Sequence, residues 1–229
     1  MALDIYVMPL WRFKAGEYDS PLEAWLDDSD TQNPVTPRRS FSPIQWWRRW
    51  KGKRQAKQIV AAAARQLDCD LAWNDDGEVV LEEQAAYGFV ALRAYAQWLD
   101  LREAIPRFEH SPRGNYYEHP VMLRQESPLP RFQHLVEHNC HNGYLVPVAF
   151  DRVVQVEPFQ VWGGYEFFHS FGSIPAISKE LATLKPLLPS PDDPAVADEA
   201  KQFIQDGFNT LETACQIGLQ HGLPVIFYG

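Results

Sequence analysis

Apolar and polar positions along the chain change period several times, and those changes delimit the expected elements. Residues 3–11 are rich in Leu, Ile, Tyr and Val and alternate loosely, which predicts a strand near the N-terminus. Ser20-Pro21 with Glu23 forms an N-cap, a first-turn proline and a capping box, predicting a short helix to about Asp27. Proline, Ser and Thr then mark residues 28–43 as loop. Ser42-Pro43 opens a second helix to about Leu67, supported by Ala61 to Ala64 and weakened by Gly52. Asp75-Asp76-Gly77, between two short apolar stretches, reads as a hairpin turn.

Residues 82–99 give the cleanest helical period, with Ala85, Phe89, Leu92 and Ala96 on one stripe. Five prolines within residues 105–130 predict a long irregular surface excursion. A helix over about 130–141 should end at Asn142-Gly143. Residues 144–150 and 153–156 read as strands, with Pro147 suggesting a sheet edge. Ser173 starts a helix to about Leu188, with Gly163-Gly164 and Gly172-Ser173 read as turns. A further helix runs through Gln220, and residues 224–228 close as a strand. Strands and helices mix without repeating as strand-helix-strand units. The expectation is therefore α+β: a single domain over residues 1–229, with a small mixed or antiparallel sheet packed by several helices.

Composition adds limits. The 229 residues are 45% hydrophobic and 22% charged, enough for a real core and against wholesale disorder. The longest aliphatic run, Ile59 to Ala64, is far too short to span a membrane. Asp4 stands where a secretory leader would want a cation. Cys69, Cys140 and Cys215 follow no disulfide pattern, so the expected location is cytoplasmic.

Charge is divided sharply. Residues 31–67 hold no acid but nine bases: Arg38, Arg39, Arg48, Arg49, Lys51, Lys53, Arg54, Lys57 and Arg65. The rest of the chain keeps 12 bases against 30 acids, near -18. A basic helix over an acidic body, partly neutralised by it, is the simplest reading, and such a body opposes general nucleic-acid binding.

Two clusters carry candidate chemistry. Trp46, Trp47, Arg49, Trp50 and Lys53 interleave rings and cations on the helix at 43–67, itself a candidate insertion. Such a face can anchor a protein partner, stack bases or lie on lipid, or it can dock into the protein's own body. Membrane binding is disfavoured by its untidy amphipathicity.

The second cluster is His134, His138 and His141 beside Cys140. His134-x-x-Glu137-His138 matches the H-x-x-E-H string of inverted zinc peptidases, with His134 and His138 as ligands and Glu137 activating water. Glu199 and Glu212 are candidates for the last ligand. On a helical wheel, however, Phe132, Leu135, Val136 and Cys140 form the buried face, and the histidines fall toward solvent. No cofactor is therefore expected, with zinc the alternative. No nucleophile elbow, Walker loop or dinucleotide fingerprint is present.

Several stretches together resemble a family of small bacterial cytoplasmic proteins. The opening Leu3-Asp4-Ile5-Tyr6-Val7 with Trp11-Arg12-Phe13 and Ala15-Gly16-Glu17 is similar to that family's start. Cys140-His141-Asn142-Gly143-Tyr144-Leu145-Val146-Pro147 is similar to its turn and strand, and His221-Gly222-Leu223-Pro224 to its ending. The family's size and acidity are similar to those of immunity proteins, which neutralise a toxin by binding it. That resemblance implies a protein that acts by binding a protein partner, with toxin neutralisation as the function. The alternative is a metal-dependent hydrolase using Glu137, His134 and His138.

Overall fold

Among the residues described by the computed structural model (3–18, 43–84, 88–111, 116–123, 131–139, 142–157 and 168–228), six strands form one mixed sheet. They are β1 (Asp4–Val7), β2 (Leu81–Gln84), β3 (Asn142–Val146), β4 (Val154–Val156), β5 (His169–Ser173) and β6 (Val225–Tyr228). Their spatial order is β2-β1-β6-β3-β5-β4. The β3–β5 pair is parallel and every other pair is antiparallel. The fold is α+β, as the sequence pattern implied.

Helices cover both sheet faces, because alternate strand residues bury to opposite sides. Ile5, Val7, Leu145, Val225 and Phe227 join one core with α3 (Gly88–Leu101), α5 (Ile174–Leu184) and α6 (Asp198–His221). Tyr6, Tyr144, Val146, Phe171 and Ile226 join a second core with α1 (Leu10–Ala15) and α2 (Pro43–Leu67). The basic helix α2 thus covers one face of the sheet. A short helix, α4 (Gln133–Val136), lies between α3 and α5.

Where local signals decide, sequence and structure agree. Ser173 caps α5 by accepting the Ala176 N–H at 3.1 Å, and left-handed Gly222 ends α6. Elsewhere tertiary pairing prevails. Residues 81–84 are strand rather than the start of a helix, because they pair with β1, and the expected hairpin around Asp75 does not form. α3 is buried on nearly every side from Gly88 to Ala96, wider than the expected stripe. Gly172 and Ser173 belong to β5 rather than a turn, and β3 is central, with Pro147 just past its end.

The 105–130 segment is not purely a surface excursion. Phe108 bridges to Val196, and Phe108, Tyr116 and Val121 are fully buried. The helix expected over 21–27, the loop over 28–42, Cys140, His141 and Gly163-Gly164 lie outside the described residues.

Candidate functional site

α2 begins with Pro43, whose missing N–H costs nothing in a first helical turn. Its inner face is Gly52, Ala56, Ile59, Ala62 and Ala63, all buried. Gly52 lets α1 approach closely: a Cβ there would lie 2.5 Å from the Trp11 carbonyl oxygen and 2.8 Å from the Ala15 nitrogen. The glycine is thus a packing requirement rather than a weak point of the helix.

The first eight residues of α2 are all exposed. Trp46 is 62% exposed, Trp47 51% and Trp50 49%, so these rings face solvent rather than dock into the body. The Lys51 ammonium lies 5.2 Å from the Trp47 ring centre and the Arg54 guanidinium 5.7 Å from that of Trp50. Arg49 pairs with Glu17 at 2.5 Å, the one α2 cation with a carboxylate partner among the described residues. Among the described residues, ion pairing of the basic helix with the acidic body is therefore confined to that pair. Lys53 differs from the other residues of the cluster: its ammonium lies 4.8 Å from the Trp11 ring centre.

Directly after α2 comes a feature that the cation count passed over. Between Arg65 and Arg93 stand Asp68, Asp70, Asp75, Asp76, Glu78, Glu82 and Glu83, with no Lys or Arg. Counting acids between successive cations would have found it. Asp68 turns the chain out of α2 with a left-handed φ of 53°, a conformation Asp tolerates better than most side chains. Residues 70–80 then follow as an irregular stretch, with Ala72, Asn74, Asp76, Glu78 and Val80 exposed and the residues between them more buried.

That alternation sets the carboxylates of Asp76 and Glu78 on the exposed side of the run. Asp68 and Asp70 are exposed as well. The Val80 N–H donates to the Val7 carbonyl at 2.9 Å and leads the run into β2, the edge strand.

Asp75 is the inward acid of the run. Its carboxylate accepts the backbone N–H of Leu10 at 2.7 Å and of Trp11 at 3.2 Å, and the Trp73 indole N–H at 3.1 Å. Burial pushes its pKa up, against the downward pull of those hydrogen bonds. A groove of about 270 Å³ separates the run from α2, and Lys53 and Lys57 line it opposite Asp75 and Asp76.

The histidine string is built differently from expectation. Its helix covers only four residues, because the Asn139 N–H is taken by the Ser170 hydroxyl oxygen at 2.8 Å, which draws the chain to β5. His134 and His138 are buried, not solvated. His138 sits on the space left by Gly143 and Gly172 and shares a 2.9 Å hydrogen bond with Ser170 through Nδ1. Neither ring nitrogen of His134, nor Nε2 of His138, has a hydrogen-bond partner among the described residues.

Burial lowers both imidazoles, His134 to about 4. Glu137 accepts from the Gln133 amide at 2.8 Å, and Glu212 pairs with Lys185 at 3.0 Å. Glu199 is exposed on α6. No group of three His, Cys, Asp or Glu side chains fit to hold a metal occurs among the described residues.

The model of a family described as "Putative DNA-mimic protein" matches residues 1–227, and the chain belongs to that family. No curated protein and no solved structure matches it. Membership corrects both functional expectations. A DNA mimic takes the place of DNA on a DNA-binding protein, which is neither toxin neutralisation nor hydrolysis by Glu137 with His134 and His138. A protein partner remains consistent with it. No helix among the described residues is long and apolar enough to cross a membrane.

Proposed function

We propose that this member of the DNA-mimic family occupies the DNA-binding face of a partner protein with the acidic run of residues 68–83. The observation that carries the reading is the unbroken sign of that run together with its exposure. Asp68 and Asp70 stand in solvent at the turn out of α2 and Asp76 and Glu78 in solvent beyond it, and no cation interrupts the sequence. Duplex DNA presents about one negative charge per 1.7 Å of axis, and proteins that grip it do so largely through Lys and Arg. A line of fixed carboxylates offers such a protein the same sign of charge. The framework supports the presentation, since Asp75 and the Val80 N–H pin the run at two points while Asp76 and Glu78 stay exposed.

Cytoplasmic residence belongs to the same proposal and is supported by three cysteines without a disulfide pattern.

The test is displacement. Proteins eluted from a duplex-DNA column are rebound to immobilised duplex, and the purified chain is added. Release of a bound protein, lost at least about tenfold when Asp68, Asp70 and Asp76 become Asn and Glu78 becomes Gln, is the expected result. Equal release by that variant would remove the run from the interface, and no release by the native chain would overturn mimicry.

A further inference from the structure

The same molecule carries a second exposed surface of opposite sign. Trp46, Trp47 and Trp50 stand about half or more in solvent, with Arg48, Arg49 and Lys51 among them. The acidic run of the same chain leaves these rings uncovered. It leaves the far end of α2 and meets the helix in the groove at Lys53 and Lys57. Trp46 lies seven positions earlier, about 10 Å farther along the axis at 1.5 Å per residue.

We propose that the end of α2 carrying Trp46, Trp47 and Trp50 docks on the acidic run of a second copy of this chain. Charge complementarity argues for this occupant. The run is a strip from which every Lys and Arg is missing, and the helix end lacks any acid. Trp and Arg are the residues that most often anchor interfaces. A nucleic acid fits less well, because a uniformly negative duplex would also face the remaining body near -18, whereas a second copy has net charge -9 and meets the helix with one strip. Two such contacts can be exchanged reciprocally, giving a closed pair. The inference rests on the acidic run being a docking strip, as in the proposed function. Self-association would then compete with the DNA-binding partner for that strip.

Sedimentation velocity on the full chain tests it, with two variants. Trp46→Ala with Trp50→Ala removes the helix anchors, and Asp76→Asn with Glu78→Gln removes charge from the strip. Each changes exposed positions only, so folding is retained and is checked by circular dichroism. The native chain should self-associate at about 0.05 M salt and weaken at least tenfold at about 0.5 M. Each variant alone should be monomeric, and an equimolar mixture should form a heterodimer, because one partner supplies the intact helix and the other the intact strip.

A native chain that stays monomeric, or a strip variant that still self-associates, overturns the proposal. Binding of a labelled duplex by the native chain, lost in the tryptophan variant, would overturn it in favour of a nucleic-acid surface. Failure here together with successful displacement from DNA leaves the mimicry intact, so the two readings fail separately.

Discussion

Asp75 accepts the Leu10 backbone N–H at 2.7 Å across 65 positions of sequence, tying the acidic run to the start of α1. One carboxylate of the run therefore serves the fold while its neighbour Asp76 faces solvent. α1 has no side-chain cap of its own at Pro9, so Asp75 supplies what the local sequence lacks. Asp75→Ala should cost about 1–2 kcal/mol and lower the melting temperature by roughly 3–6 °C. Asp76→Asn should change stability by no more than about 0.5 kcal/mol. Thermal denaturation of the two variants checks the division, and equal melting temperatures would contradict it.

Where α3 crosses α6, the two backbones touch through Gly88 and Gly207. A Cβ on Gly88 would sit 2.8 Å from the Gly207 nitrogen, and one on Gly207 would meet the Gly88 backbone. Backbone on both sides cannot yield as a side chain can, so the helices would have to separate. Gly207→Ala is expected to destabilise by about 3 kcal/mol. A urea denaturation midpoint within error of the native chain would show that the crossing relaxes freely.

Elements whose signals lie within a few residues were legible in the sequence. α2 starts at its proline, α5 at Ser173 and α6 ends at Gly222, because caps and turns are local chemistry. α1 was not legible, since Asp75 lies far away in sequence. β2 was hidden by the good helix formers around it, which edge pairing with β1 overrides. The histidines were misplaced because the wheel assumed a helix through residue 141. In fact the chain leaves that helix after Val136, and glycines on β3 and β5 make room for His138. Trp46, Trp47 and Trp50 fall on one helix as their spacing implied, but their exposure is decided by tertiary packing, which the local sequence does not carry. The acidic run could have been found from charge order alone.

His134 offers a direct reading of burial cost. Both its ring nitrogens lack partners among the described residues, and the ring packs 6.0 Å from that of Phe150. A buried polar group without hydrogen bonds lowers stability, and an apolar side chain of similar size removes that penalty. His134→Leu should therefore raise stability at pH 7.5 by up to about 1 kcal/mol. A loss above about 1 kcal/mol in chemical denaturation would mean that the imidazole holds a bond the geometry does not provide.

Acid should destabilise the protein through its buried histidines. Burial is the main cause that depresses His119, His134, His138 and His169 in the fold, with His134 and His169 at about 4. In the unfolded chain these groups protonate near the ordinary histidine value of about 6.5. Between those limits the unfolded state binds more protons, so stability is present above about 6.5 and is lost as pH falls toward 4.

Glu180 works in the opposite sense. Burial raises it to about 7, so its contribution is present below 4.5 and is lost as pH rises through 7. Asp4 and Asp75, also raised by burial, act in the same sense as Glu180, and the four histidines outweigh them to leave a net loss on the acid side. The melting temperature should fall by at least about 5 °C from pH 7 to pH 5. Glu180→Gln should steepen the acid limb between pH 7 and 5, where its opposing contribution is removed, and leave the limb above pH 7 in place. Melting curves across pH 4.5–8.5 measure both limbs, and a native profile flat from pH 7 to 5 would contradict the burial of those imidazoles in their neutral form.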